Sequence, residues 1–291
     1  MWLGWILASA VVLSVYDLTK KVSVKGNAVF PTLLGTTLAG WLSVSVWSLG
    51  RREFAASFFI SGTSITLLLL KSVLVGSSWT CTYLALRTLP ITTAAPIRAT
   101  APLWTLLGAI LLFAEIPTAW QLLGMACVFG GCFLLTFSAR QDDRGHVAWL
   151  PIGYSFAGTL LGSCSALYDK YLLHELHLPT QTVLWWYLGG LTLIYATICF
   201  ATRVILTPRD KFFPRWTIPL VGLFLSLSDA LYMQAVSVPN AQISVLSLMR
   251  RLSVVMTFFI GAFVFREKAM WKKIPALVAI ITGIIILSLF R

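Results

Sequence analysis

Two stretches decide the fold: 97-IRATAPLWTLLGAILLFAE-115 and 249-MRRLSVVMTFFIGAFVFRE-267. Each is almost wholly apolar, carries arginine at its start and closes on Phe-x-Glu. Arg98 and Arg250, Phe113 and Phe265, and Glu115 and Glu267 all stand 152 positions apart. An apolar run of this length reads as a membrane helix, and a cation inside one is costly enough to mark a functional site. The same spacing relates Tyr16-Asp17 to Tyr168-Asp169 and Gly131 to Gly283. Between the third and eighth apolar runs the shift is 149, pairing Tyr83 with Tyr232 and Pro90 with Pro239. Matches among rare residue types establish an internal repeat better than leucine on leucine.

The rest of the chain agrees with a membrane setting. Of 291 residues, 58% are hydrophobic and 11% charged, and the mean hydropathy is +0.86. A soluble domain carries roughly 25% charged residues. Ten runs are long enough to span a bilayer: 2–18, 28–49, 64–86, 90–114, 118–138, 148–173, 181–202, 216–236, 241–265 and 270–290. The repeat gives each half five spans, over 1–139 and 147–291, with a short polar link at 140–146. Five is odd, so the second half enters the membrane in the opposite sense. The expected fold is an all-α integral membrane protein of ten transmembrane helices in two inverted five-helix repeats, an organisation typical of secondary transporters. The first run starts at Met1 without a basic leader or a small-residue cleavage site, so it reads as a retained span.

The net charge of +12 does not indicate nucleic acid, because most of the cations sit in short links and none forms a basic stripe interleaved with aromatics. The five cysteines fall inside apolar runs without a CxxC pair and read as packing residues. His146, His174 and His177 lie in or beside links and read as solvated. There is no metal-ligand cluster, no phosphate-cradling glycine loop and no plausible Ser/His/Asp set, so neither an enzyme nor a cofactor is indicated.

The last two spans of each half, 102-PLWTLLGAILLFAEIPTAWQLLGMACVFGGCFLL-135 and 250-RRLSVVMTFFIGAFVFREKAMWKKIPALVAIITGIIIL-287, resemble the drug/metabolite transporter superfamily, in particular its ten-helix EamA-type members. Glu115 with Gly131, Glu267 with Gly283, and Pro102 fit that pattern. Val254 departs from it, standing where the repeat places a second proline. The resemblance covers the whole chain and implies a transporter without specifying the substrate. Related phosphate-sugar and nucleotide-sugar carriers of the superfamily hold substrate phosphate on basic residues of their fourth and ninth helices. Arg98, Arg250 and Arg251 look like that arrangement.

Orientation draws two opposite readings. Fourteen lysines and arginines fall in odd-numbered links, against three in even links and termini. The positive-inside rule then places both termini outside the cytoplasm, whereas the resemblance implies termini inside. The membrane is the cell membrane, inner or plasma, crossed many times.

Arg98 lies about 6 Å and Arg250-Arg251 within about 5 Å of the middle of their spans, at 1.5 Å per residue. They need partners or a water-filled cavity. Asp229, near mid-depth in the eighth span, is able to neutralise one arginine, leaving a cationic surplus suited to carboxylate or phosphate. Lys71 lies nearer an edge, from where its ammonium is able to snorkel or to face the cavity as a further substrate-binding residue. Tyr16-Asp17 and Tyr168-Asp169 admit two readings: gates or proton-titrating groups on opposite faces, or interfacial tyrosine anchors with Asp–Lys pairs at helix ends. The second is the plainer. Trp79, Tyr83, Trp104 and Tyr232 lie deep enough to contact an apolar or ring-bearing substrate, whereas Trp185-Trp186 fits an interface belt. Glu115 and Glu267 are expected on backbone groups or link cations. The resulting expectation is a transporter of a small metabolite, anionic or zwitterionic, with a cavity between helices 1, 3, 4, 6, 8 and 9. Its partners are the substrate, the bilayer and a coupling ion or proton, and the chain is a monomer or loose dimer. Export of neutral or aromatic amino acids, and a lipid-phosphate flippase or non-transporting scaffold, are the alternatives.

Overall fold

The computed structural model describes residues 2–24, 27–50, 60–88, 97–98, 100–138, 149–205, 211–239, 241–253, 255–256 and 274–289. Among them are ten α-helices. The first half holds α1 (Trp2–Val24), α2 (Val29–Gly50), α3 (Gly62–Thr88), α4 (Ala101–Phe113) and α5 (Ala119–Ser138). The second holds α6 (Trp149–Lys170), prolonged by a π-helical turn over Tyr171–Glu175, then α7 (Thr180–Ile205), α8 (Thr217–Val236), α9 (Ile243–Met249) and α10 (Ile274–Leu289). Five of these helices are long and apolar enough to cross a membrane. The described part of α9 is much shorter than the run 241–265, most of whose remainder lies outside the described residues.

Helix packing follows the repeat. Exchanging the halves turns helix n of the first into helix n+5 of the second. Under that exchange the α1–α8 contact becomes α6–α3 and α2–α8 becomes α7–α3, while α2–α7, α4–α9 and α5–α10 map onto themselves. Neighbouring copies of one motif, inverted, therefore meet through equivalent faces. The outside is apolar, as lipid requires: Leu111, Ile116 and Trp149 are each more than four-fifths exposed. Small polar side chains lie within, where they serve as glue between helices. Ser9 and Ser228 exchange hydrogen bonds across the antiparallel α1–α8 pair, each hydroxyl donating to the other's carbonyl at 2.8 and 3.2 Å.

The same pair fixes the sides of the membrane. At the end of α1, Ser23 donates to Thr217 at 2.7 Å. The Asn27 amide clasps the backbone of Phe213, donating at 2.8 Å and accepting at 2.9 Å. The links α1–α2 and α7–α8 thus lie together on what is called here the odd-link side.

Between α5 and α10 the backbones touch. A Cβ on Gly283 would stand 2.6 Å from the Gly124 carbonyl oxygen, and one on Gly131 would stand 2.7 Å from that of Ala276. The repeated pair Gly131 and Gly283 therefore does the same work from both helices, allowing close approach. Gly283→Val is expected to cost roughly 1–3 kcal/mol or more by overpacking, lowering the thermal unfolding midpoint in detergent. Gly130→Ala, with nothing within 4 Å of the added carbon, is expected to leave it unchanged. Equal losses in the two variants would contradict the packing account.

Candidate functional site

The site begins at the end of α4. Ala114 takes a left-handed backbone (φ 50°), a conformation that costs an L-residue about 1–2 kcal/mol. This terminates the helix and turns Glu115 inward, with its N–H donating to Ala109 O at 3.2 Å. The Glu115 carboxylate then caps α9 of the other half. It accepts from the Ile243 N–H at 2.8 Å, from the Ser244 N–H at 3.4 Å and from the Ser244 hydroxyl at 2.8 Å. Free N–H groups at a helix start need such acceptors, and the helix dipole favours an anion there. Lys170 closes the cluster at 2.5 Å from Glu115 Oε1. Glu115 thus serves backbone groups, as expected, but its cation is a helix residue rather than a link residue.

Two turns along, α9 ends at Arg250. Its guanidinium donates to Asp229 Oδ1 at 2.6 Å and to Ser228 Oγ at 3.2 Å, and it lies 4.4 Å over the Tyr232 ring. Tyr187 on α7 donates its hydroxyl to Asp229 Oδ2. The Tyr187 ring carries the Lys71 ammonium 4.8 Å from its centroid, and Lys71 is ion-paired with Asp169. One network therefore runs Asp169–Lys71–Tyr187–Asp229–Arg250–Tyr232 through α6, α3, α7, α8 and α9. Every member lies toward the even-link side, where it forms the floor of a cavity.

That cavity has a volume of about 430 Å³ and is lined from α1, α3, α4, α6, α7, α8 and α9. Among the described residues, five cations face it (Lys20, Lys71, Arg98, Arg250 and Arg251) against three carboxylates (Asp17, Asp169 and Asp229). The network uses Asp169 and Asp229. Among the described residues, the side chains of Arg98, Arg251 and Asp17 have no hydrogen bond or ion pair. Arg98, Arg250, Arg251 and Lys20 all lie within electrostatic reach of Asp17. Partnerless guanidinium groups at a polar cavity are equipped to hold an anion.

Residues 1–137 match the EamA-like transporter family. That stretch, somewhat under half of the chain, is similar to a family of the drug/metabolite transporter superfamily. Together with the apolar helices, the match supports a multi-pass membrane protein of transporter type. A protein solved by crystallography aligns with it at a TM-score of 0.75 and 16% identity, covering 98% of this chain and 95% of that one. At that identity the likeness concerns the fold. No curated protein matches the chain in sequence.

The structure brings together most of the residues singled out from the sequence and moves several of them. Arg98, Arg250, Arg251, Asp229, Trp79 and Tyr232 line the cavity. Lys71 also lines the cavity and does not snorkel: it is buried and paired, because Asp169 on α6 faces it. Asp17 and Asp169 both line the one cavity, as does Tyr16, with Asp17 toward the odd-link end of α1 and Asp169 at the even-link end of α6. Tyr168 stands apart from it, donating to Leu67 O at 3.1 Å and stacking on Tyr171. Trp104 also packs elsewhere, edge-on to Phe156. His174 is not simply solvated; its ring bonds to Val236 O at 2.8 Å. Glu267 and the Tyr83 side chain lie outside the described residues.

Two lining residues escape sequence reasoning. Lys20 reads as a link residue, but α1 continues to Val24 and puts Lys20 over the Tyr16 ring at 5.3 Å. The spacing Tyr16–Lys20, one helical turn, is the signal that points to it. Tyr187 carries no signal of its own, being one apolar-run aromatic among many.

Removing one partner of a buried pair costs roughly 3–5 kcal/mol, because the other charge is stranded, whereas removing both is often nearly neutral. Lys71→Met is therefore expected to lower the unfolding midpoint strongly, and Lys71→Met with Asp169→Leu to recover most of the loss. Additive losses in the double variant would contradict the pairing.

Proposed function

We propose that this protein carries a small metabolite bearing a carboxylate or phosphate across the cell membrane by alternating access through the central cavity. The observation that carries this reading is that Arg98 and Arg251 face the cavity with no hydrogen-bonded or ion-paired partner among the described residues. Planar guanidinium forks recognise carboxylate and phosphate in bidentate geometry. The volume of about 430 Å³ falls within the range of small-molecule sites. Inverted halves meeting at a mid-membrane site suit a rocking motion of one half against the other. The ionic floor toward the even-link side, with the Glu115–Lys170 clasp beyond it, supports a conformation closed on that side. Transport is passive, by exchange, or coupled to an ion or proton. Export of neutral amino acids needs the arginines internally paired, and only Arg250 has such a pair among the described residues.

Thermal-shift screening of the purified protein separates the readings. Phosphorylated and carboxylated metabolites are expected to raise the midpoint, and neutral amino acids to leave it alone. Arg98→Gln and Arg251→Gln are each expected to weaken the best ligand at least about tenfold, or ~1.4 kcal/mol, while Trp104→Phe leaves it unchanged. Equal stabilisation by neutral amino acids, with both arginine variants behaving as wild type, would sink the anion reading. Loss of small-molecule uptake into proteoliposomes altogether would favour the flippase or scaffold.

The bias of basic residues toward odd links supports a cytoplasmic odd-link side and termini outside. A reporter fused after Arg291 is expected to be active only in its non-cytoplasmic form. Activity confined to the cytoplasm would reverse the orientation.

A further inference from the structure

The last turn of α6 ties the second half of the chain to the first in two directions. Asp169 pairs with Lys71 on α3. Lys170 reaches Glu115, just past the end of α4, at 2.5 Å, and its ammonium lies 4.9 Å from the centre of the Phe113 ring. Neighbouring helix positions point about 100° apart, so each residue meets a different partner. Directly beyond them α6 passes into the π-helical turn Tyr171–Glu175. Turns of that kind are rare and recur at functional sites.

Glu115 has a second task. It caps α9 at Ile243 and Ser244, and the other end of that helix carries Arg250, whose N–H bonds to Leu246 O at 3.0 Å. The clasp and the cationic part of the cavity therefore share one short helix. The repeat does not duplicate the lysine. At the 152 spacing Glu115 meets Glu267, but Lys170 meets Leu18, and leucine offers a carboxylate no charge.

We propose that the Glu115–Lys170 ion pair is a one-sided latch: it holds the even-link side shut, biases the resting protein toward a cavity open to the odd-link side, and breaks when α6 swings away from α4. This rests on alternating access through the central cavity, not on the charge of the substrate. Lys170→Met removes the latch while Glu115 keeps its donors on α9, so the carboxylate is not stranded.

The test reads access to the cavity from each side. Ser165 lines the cavity. It is replaced by cysteine in the full chain, with the native cysteines replaced by alanine; Ala166→Cys, also on the lining, serves if Ser165→Cys does not fold. The protein is reconstituted in vesicles, and a tag before Met1 marks the even-link side, where α1 starts. The probe is sulfonatoethyl methanethiosulfonate, a membrane-impermeant anion. The latched protein is expected to react mainly from the odd-link side. Lys170→Met is expected to raise the even-link rate at least about tenfold and to lower the odd-link rate, and Lys170→Arg to keep the original pattern. Loss of a positive charge by itself slows an anionic probe, so a faster even-link reaction reports opening. A latched protein that reacts mainly from the even-link side, unchanged sidedness in Lys170→Met, or faster reaction from both sides alike overturns the latch and leaves the transport reading standing. No reaction from either side in any variant overturns the cavity pathway and the latch together.

Discussion

The architecture turns on the bond between Arg250 and Asp229, 2.6 Å long inside a membrane helix bundle. A guanidinium cannot lose a proton to escape the low-dielectric interior, so it must be solvated by protein. Asp229 supplies the charge, Ser228 a second acceptor and Tyr232 a ring face. The pair holds α8 to α9, while Glu115 holds the start of α9 to α4. Tyr187 and Lys71 then extend the same network to α7 and α3. Helix packing on the even-link side follows from satisfying these few charges.

Symmetry of the backbone and asymmetry of the charges together produce the site. The repeat places Arg98 against Arg250 and Asp17 against Asp169, but Thr80 stands where the second half has Asp229, and Leu220 where the first half has Lys71. Arg250 and Asp169 thereby acquire partners that Arg98 and Asp17 lack among the described residues. One end of the cavity is an ionic floor, and the other presents unspent charge. A fully symmetric set of pairs would leave a neutral cavity with little to offer an anion.

Much of this was legible in the chain itself. Composition and run length reveal a membrane helix bundle because bilayer thickness is a hard constraint on every span. The repeat is visible because rare residues recur at a fixed spacing, and depth follows from position within a span. Partner choice is not legible in that way. Whether Lys71 snorkels or pairs depends on which face of α3 meets α6, and apolar runs without clear amphipathic periodicity carry little information on facing. Lys20 escaped because the end of α1 runs past its apolar stretch to Val24. Tyr168 and Asp169 are neighbours in sequence yet do different work, since adjacent helix positions point about 100° apart.

The central claim is that the cavity binds an anionic group on its partnerless arginines. The most direct measurement is an experimental structure with the ligand that stabilises the protein most in solution. The account predicts density for the carboxylate or phosphate within hydrogen-bonding distance of both Arg98 and Arg251. Density for that group elsewhere, with both guanidinium groups turned to protein partners instead, would contradict it.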